Sequence, residues 1–420
     1  MAAALAFCLV AFSTALVADE AVLTLDQAIE LALAGNPGLA EIKARAEAMA
    51  AIPPQAGSLP DPALNLDLLN VPTRSFDLRK EDMTMLEVGL SQKIPFPGKL
   101  ALQEKVAEQE ALAAADSIDE ARLRLKRDVK QAWWRLFYYD RALNVTAEAQ
   151  QFFQRLIDIA QAKYKVGQGA QQDVLLAQLE LSKLKDEKLE LVGMRHGQTA
   201  KLNALLDRAP ESLVRISPEA EFDLPSVTEA ALQDKALQIR PLFAQHQKML
   251  DAARSKVELA QKDFYPDLTV GAAYAIRQNS PTGETRSDFA SVRLSMNLPI
   301  YAGQKQSKAV DQRRSELLQE QYALRDDHHK IQAEIAAKAA EYHHAREKLA
   351  LFEHEIIPQA QQTVSSLLAG YQVSKAEFSD LLRAQLTLFQ YQTQYWQALT
   401  RTQQILAELS AAVGEDLSHD

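Results

Sequence analysis

Eight histidines are the residues best suited to metal or proton chemistry, and four of them form two adjacent pairs, His328-His329 and His343-His344, on one helical stretch. Zinc-binding histidines on a helix sit four apart, so that both face one way. Positions 332, 347 and 348 hold Gln332, Glu347 and Lys348. The best available pair is therefore His343 with Glu347, and a solvated helix face explains the histidines better. Asp173 and Asp380 occupy matching places after two similar segments, with Arg383 one turn beyond the second. Carboxylates brought together around an axis can attract cations or brace a closed turn through salt bridges. The plainer role is an N-cap for the helix that follows. Trp133, Trp134, Phe137, Tyr138 and Tyr139 form a dense aromatic group, suited to packing between helices. Base stacking would require a basic groove beside it, which the chain lacks. No nucleophile elbow, phosphate loop, dinucleotide fingerprint or zinc-protease motif occurs, so an enzyme is the least supported class and no cofactor is expected.

The elements holding these residues are unusually long. The chain has 420 residues, 47% of them hydrophobic, yet only 14 Gly and 16 Pro, and no proline occurs from Gly98 to Val166. Such a distribution predicts very long helices. A formal charge of −10 spread along helical faces makes nucleic acid a poor partner. Residues 1–18 are uncharged and apolar, end in small residues and precede Asp19 and Glu20, the pattern of a secretory signal peptide. The one cysteine, Cys8, falls inside it, so the mature chain needs no disulfides. No later segment has 18 consecutive apolar residues, so a membrane role would have to use strands.

The chain is written twice. Displaced by 204 positions, Pro37 falls on Pro241, Pro62 on Pro266, Leu64 on Leu268, Val88 on Val292, Leu90 on Leu294, Ser91 on Ser295 and Pro95 on Pro299. At 207, the segment Tyr164 to Asp173 falls on Tyr371 to Asp380, and an Ala-Gln-Leu follows in both. This predicts a first repeat over 19–206, a linker over 207–227 broken by Pro210, Pro218 and Pro225, a second repeat over 228–413 and a tail over 414–420. Each repeat reads as short helices, two strands, a very long helix, a tight turn and a returning helix. The short helices span about 24–52, broken at Asn36-Pro37 and capped by Thr24 and Asp26, and about 227–263.

Strands are expected near 62–71, 84–95, 266–277 and 288–299. Leu64, Leu66 and Leu68 alternate with Asn65 and Asp67; Leu86, Val88 and Leu90 with Glu87, Gly89 and Ser91. In the second copy Val292, Leu294 and Met296 alternate with Arg293, Ser295 and Asn297, and Leu268 and Val270 flank Thr269. Period two gives each strand one apolar and one polar face. A soluble sheet against helices fits the pattern, but runs of ten residues also cross an outer membrane when tilted. The polar set Asn65, Asp67, Glu87, Ser91, Thr269, Arg293, Ser295 and Asn297 would then line a watery lumen. Four strands cannot close a barrel, so several chains would share one.

The helical hairpins are expected over about 98–206 and 303–413, the first opening with a helix of ~100 Å. Leu125, Val129, Ala132, Leu136, Tyr139 and Leu143 recur at heptad spacing, as do Leu381, Ala384, Leu388, Tyr391, Tyr395, Ala398, Thr402, Ile405 and Leu409.

Strand pairs joined to long antiparallel hairpins, twice in one chain, resemble the outer-membrane factor (TolC-like) family. The likeness rests on Ser91-Gln-Lys-Ile-Pro-Phe-Pro-Gly98-Lys99 and Leu298-Pro-Ile-Tyr-Ala-Gly303 as strand-to-helix junctions, and on the turns beginning Tyr164-Lys-Val166-Gly167 and Tyr371-Gln-Val373-Ser374. Leu59-Pro-Asp-Pro62 and Met83 to Lys99 look most like the heavy-metal branch serving cobalt-zinc-cadmium or copper-silver pumps. The resemblance implies a mainly α protein with membrane β: a homotrimer in the outer membrane with a twelve-stranded barrel, continued by a periplasmic α-helical barrel closed at its tips. It also implies a periplasmic adaptor docked at the tips, around Val166, Gly167, Gln168, Gly169, Val373, Ser374 and Lys375, and an inner-membrane pump of the resistance-nodulation-division type. Drug efflux and type I protein secretion use ducts of the same fold. A soluble periplasmic coiled-coil scaffold is the structural alternative. Ser374, Lys375 and Ala376 replace Gly167, Gln168 and Gly169, so the second tip departs from the first.

Overall fold

The computed structural model describes residues 22–217 and 224–417; the expected signal peptide, Cys8 and the last three residues lie outside them. The first copy comprises α1 (Leu25–Gly35), α2 (Pro37–Ala50), α3 (Ile52–Gly57), β1 (Ala63–Leu69), β2 (Met85–Ile94), α4 (Lys99–Lys165) and α5 (Gln171–Leu205). The second comprises α6 (Glu229–Ile239), α7 (Pro241–Lys262), β3 (Leu268–Ile276), β4 (Phe289–Met296), α8 (Gln306–Leu351), a π turn (Phe352–Ile356), α9 (Ile357–Gln372) and α10 (Phe378–Val413).

Local chemistry sets the short helices. Thr24 and Gln27 form a reciprocal capping box at α1. Asn36 ends that helix, and its side chain caps α2 at Leu39 N while Pro37 fills the first turn. α4 runs 67 residues unbroken. Its counterpart meets Pro358, which cannot donate to the helical ladder, and the π turn immediately before it absorbs the misfit.

Three apolar clusters hold the helices together. Around the aromatic group, Trp133 and Phe137 stack at 5.6 Å, Trp134 meets Trp133 edge-on at 4.9 Å, and the Trp133 indole donates to Leu23 O at 3.2 Å. The group therefore packs helices, as its composition suggests. Towards the hairpin ends, Phe153, Leu156, Ile157, Leu181, Val364, Leu381 and Leu388 form a second cluster, each large side chain contributing about 1.5–3 kcal/mol when fully buried. Leu125, Val129, Ala132 and Leu136 are buried, whereas Tyr139 and Leu143 are only half-buried. From there the seam passes to Ala142, Val145 and Ala149, because a straight helix drifts relative to a strict heptad.

The four strands form one sheet in the order β1-β2-β3-β4, every neighbour antiparallel, with β1 and β4 as its edges. Among the described residues no helix is long and apolar enough to cross a membrane.

Candidate functional site

The register puts the apolar residues of all four strands on one face. Leu64, Leu90, Ala272 and Val292 lie in one row, and Leu66, Val88, Tyr274 and Ala290 in the next. This face is bare: Leu64 is 66% exposed, Leu294 64% and Val292 85%. An apolar surface spread over four strands marks contact with membrane or another protein.

The opposite face carries Asn65, Asp67, Glu87, Ser91, Thr269, Arg293 and Ser295, all but Asp67 lining a shallow trough floored by Gly89, Gly271 and Ala273. Asp67 stands directly across from Glu87, a like-charge pairing that costs energy unless a cation intervenes. Arg293 reaches over from β4 to within 3.6 Å of the Glu87 carboxylate. Asn65 Nδ2 donates to Ser91 Oγ at 3.1 Å. Asn297 lies just past β4, where its Oδ1 accepts from Asp267 N at 2.6 Å and ties the strand ends together.

At the strand-to-helix junction Gly98 takes a φ of 88°, which a side chain would strain. Buried Lys99 reaches Asp267 at 2.9 Å and Asp263 at 3.1 Å, and Phe96 N donates to Asp267 at 3.0 Å. Burial disfavours the Asp267 charge, but the hydrogen bonds from Lys99 and Phe96 N outweigh it and hold the carboxyl below its usual range. Asp267 is a residue that sequence reasoning missed. The aspartate of the first copy precedes its proline (Asp61-Pro62) while this one follows it (Pro266-Asp267), so the displacement that aligned the prolines hid it.

The two hairpin tips share one geometry despite their different sequences. Gly167 N donates to Tyr164 O at 3.1 Å and Gln168 N to Lys163 O at 2.9 Å; Ser374 N donates to Tyr371 O at 3.1 Å and Lys375 N to Gly370 O at 2.8 Å. Both are Schellman turns. Gly167 and Ser374 adopt the left-handed conformation at φ of 75° and 59°. Thus the departure at Ser374 changes side chains, not the turn. The glycines are distributed reciprocally. A Cβ on Gly169 would lie 3.0 Å from the Cβ of Lys163, and one on Gly370 3.0 Å from the Cβ of Ala376. Lys163 and Gly370 occupy equivalent positions, as do Gly169 and Ala376, so each tip keeps one glycine at the same close approach.

The N-cap role expected for the tip aspartates is corrected. The cap residues are Ala170 and Glu377, and neither side chain caps its helix. Asp173 and Asp380 sit three residues further on, inside the first turn, where a negative charge meets the positive end of the helix. Asp173 lies partly buried between the hairpins; burial raises its pKa, against a hydrogen bond from Ala170 N–H and the nearby Lys163 charge. Lys163 bridges the tips, donating to Tyr371 O at 2.6 Å and Ser374 Oγ at 3.1 Å and lying 4.6 Å from the centre of the Tyr371 ring. The Tyr371 hydroxyl is pushed up by burial and by Asp173, and it has no hydrogen-bond partner. Asp380 and Arg383 are exposed on another side of α10, along a groove with Gln359, Thr363 and Tyr391. The structure therefore brings Asp173 together with Lys163 and Tyr371, and leaves Asp380 and Arg383 apart from them.

The histidine pairs are scattered. His328 packs on Phe243 at 4.4 Å, and His344 rather than His343 approaches Glu347, at 3.7 Å on an exposed surface. Among the described residues no group of three or more metal-ligating side chains gathers.

A twice-repeated helical hairpin body, bearing a four-stranded sheet with one apolar face and two free edges, defines a channel-forming protein of the TolC-like fold. The profile of the family described as outer membrane efflux protein matches residues 28–208 and again 232–415, and the chain belongs to that family. It is similar to the cobalt-zinc-cadmium resistance protein CzcC of Cupriavidus metallidurans, 22% identical over 392 residues covering 93% of this chain and 90% of the relative. Its fold is shared with CusC, at a TM-score of 0.79 and 15% identity over 93% of this chain and 92% of that one. The outer membrane protein VceC of Vibrio cholerae is also similar in fold, at 0.77 and 20% identity over 93% and 96%.

Proposed function

We propose that three copies of this chain close a twelve-stranded outer-membrane barrel, and that their hairpins continue it as a periplasmic tunnel through which heavy-metal cations leave the cell. The observation that carries the reading is the sheet: one face apolar and bare, the other polar, and an unpaired edge on each side. Free edges are not tolerated in lipid, four strands are too few to close, and three copies give twelve. Asn65, Asp67, Glu87, Ser91, Thr269, Arg293 and Ser295 then face the lumen, with Asn297 at its rim.

The duct is passive. An inner-membrane pump of the resistance-nodulation-division type drives export, and a periplasmic adaptor joins the two by docking on Val166, Gly167, Gln168, Gly169, Val373, Ser374 and Lys375, all of them exposed at the ends of the tips except half-buried Gly169. Likeness to a cobalt-zinc-cadmium resistance protein supports metal as cargo. Two experiments test these statements. Recovery of the chain in the soluble periplasmic fraction without detergent would exclude the duct. Deletion should sensitise the cell to cobalt, zinc or cadmium; sensitisation to drugs alone, or loss of one secreted polypeptide, would reassign the cargo.

A further inference from the structure

Placed in a membrane, the hydrogen-bonded part of the sheet is too short for it. Leu86 pairs with Leu68 and Ile276 near one end of the ladder, and Ile94 with Leu268, itself across from Met296, at the other. From Leu86 to Ile94 a strand rises ~26 Å, which a tilt of about 40° reduces to ~20 Å along the membrane normal, against an apolar band of ~25 Å in outer-membrane barrels. At the Leu86 end the strands adjoin Asn70, Thr84, Arg277 and Asp288, all polar. The missing height has to come from the other end.

There the chain stays apolar beyond the ladder. Leu298 continues the row of Val292, Leu294 and Met296, and after it Ile300 is 74% exposed and Tyr301 71%. At the same end of the sheet Phe96, in phase with Leu90 and Ile94, stacks on Tyr265 with ring centres 4.5 Å apart. The lysines here divide into two kinds. Lys93 and Lys99 are paired with Asp267 at 3.4 and 2.9 Å. Lys262 is not: its ammonium lies 5.6 Å from the centre of the Phe96 ring and 6.0 Å from that of Tyr265, and among the described residues no carboxylate partners it. Lys305, the residue before α8, is exposed just past Tyr301.

We propose that this strand-to-helix junction is a binding collar for anionic phospholipid of the membrane's inner leaflet. Leu298 and Ile300 complete the apolar band, Tyr301 and the stacked Phe96 and Tyr265 mark its boundary, and Lys262 and Lys305 hold headgroup phosphates. The occupant is lipid because the row is continuous with the face that the duct reading puts in lipid. Interfacial aromatic rings border such a face, and lysines keep their stems in the apolar layer while their ammonium groups reach the charged one. A cation over aromatic rings and without a carboxylate is complementary to a phosphate.

The inference rests on the duct reading, and the experiment separates the two. Trimer purified in detergent is reconstituted into phosphatidylcholine vesicles with or without phosphatidylglycerol, and the thermal midpoint of its dissociation is read. Phosphatidylglycerol should raise the midpoint by a few degrees, as a ligand of the assembled state does. Lys262→Met with Lys305→Met should lose that rise and keep the midpoint in phosphatidylcholine alone. Inorganic phosphate added to phosphatidylcholine vesicles should not replace the lipid. As a check on depth, Tyr301→Trp should be quenched by lipids brominated near the headgroup, and Tyr322→Trp, at an exposed site of α8, should not. The collar is overturned, and the duct left standing, by an inserted trimer whose midpoint ignores phosphatidylglycerol, by a rise that survives both lysine substitutions or that free phosphate reproduces, or by equal quenching at the two tryptophans. A soluble monomer that does not enter vesicles overturns both.

Discussion

Lys163, from the end of the first long helix, donates to the main-chain carbonyl of Tyr371 at 2.6 Å and so fastens the two hairpin tips of one chain to each other. The same ammonium reaches Ser374 Oγ and lies against the Tyr371 ring, making three contacts from one side chain. Lys163→Met keeps the aliphatic stem and removes the donor. It should loosen the tips and raise single-channel conductance in planar bilayers. Tyr371→Phe deletes a buried hydroxyl that has no partner, a change expected to be neutral or stabilising, so conductance should stay at the resting level. Equal conductance in Lys163→Met and the unaltered protein would show that the bridge does not hold the tip shut.

Asp173 gives the tip a pH dependence of determined sign. Burial raises its pKa, so its contribution to the closed tip is fully present below the ordinary carboxyl range and is lost as pH rises through the raised value. Conductance should therefore increase with pH across that window. Asp173→Asn should remove the dependence and leave the tip closed, because an amide oxygen can still accept from Ala170 N–H without carrying a desolvated charge. Exposed Asp380→Asn should change neither. A rise in conductance in the Asp173→Asn, Asp380→Asn pair would instead indicate that charge holds the gate.

The reciprocal glycines predict a rescue. Gly370→Val should crowd Ala376 and destabilise the second tip by about 1–3 kcal/mol, seen as faster amide exchange and proteolytic nicking at the turn. Adding Ala376→Gly should restore protection, since the first tip already pairs a large residue, Lys163, with Gly169. No recovery would mean that the close approach does not set the turn. At Ser374, whose φ of 59° suits glycine, Ser374→Gly should relieve about 1 kcal/mol of turn strain but also removes the hydroxyl that accepts from Lys163, so the full gain should show only in a Lys163→Met background.

Much of this was legible in the sequence, and for a physical reason. Period-two alternation fixes which side chain faces which way, so the strand faces at Leu64 to Leu68 and Val292 to Met296 agree with the observed register. Long helices followed from the spacing of proline alone. The tip contact was not legible because Lys163 and Tyr371 lie 208 positions apart and a lysine near a turn has no fixed partner. Asp173 lies three residues beyond the cap: Ala170 and Glu377 lack the side-chain hydrogen bonds of ordinary caps, so no residue type in the sequence marks where these helices begin. The two glycines of the first tip are required for different reasons. Only Gly167 has the positive φ; Gly169 is constrained by Lys163 beside it.

At the junction, Lys99 and Asp267 should show the opposite pH sign to Asp173. The Asp267 carboxyl is held below its usual range, so its stabilisation is present above the ordinary carboxylate pKa and is lost as pH falls through the depressed value. Breaking the pair from one side strands a buried charge, at a cost of about 3 kcal/mol. Lys99→Met should thus lower the thermal midpoint more than Asp267→Asn, which keeps an acceptor for Phe96 N. Comparable midpoints for the two variants would count against a buried, charge-assisted clamp.

The two sheet faces give the most direct test of orientation. Leu90→Arg or Leu294→Arg places a cation on the bare apolar face, where near the membrane midplane it should cost about 2–4 kcal/mol. Ser295→Arg places the same side chain on the opposite face, beside Thr269, where a watery lumen would solvate it. The first two variants should reduce the yield of assembled oligomer in the outer-membrane fraction; the third should assemble normally and alter only conductance or ion preference. Ser91 is a less clean control because its hydroxyl accepts from Asn65, and losing that bond would add an effect of its own. Assembly equally impaired by arginine on both faces would mean that both are buried against protein, the arrangement of a soluble sheet. Tolerance on both faces would mean that neither touches lipid.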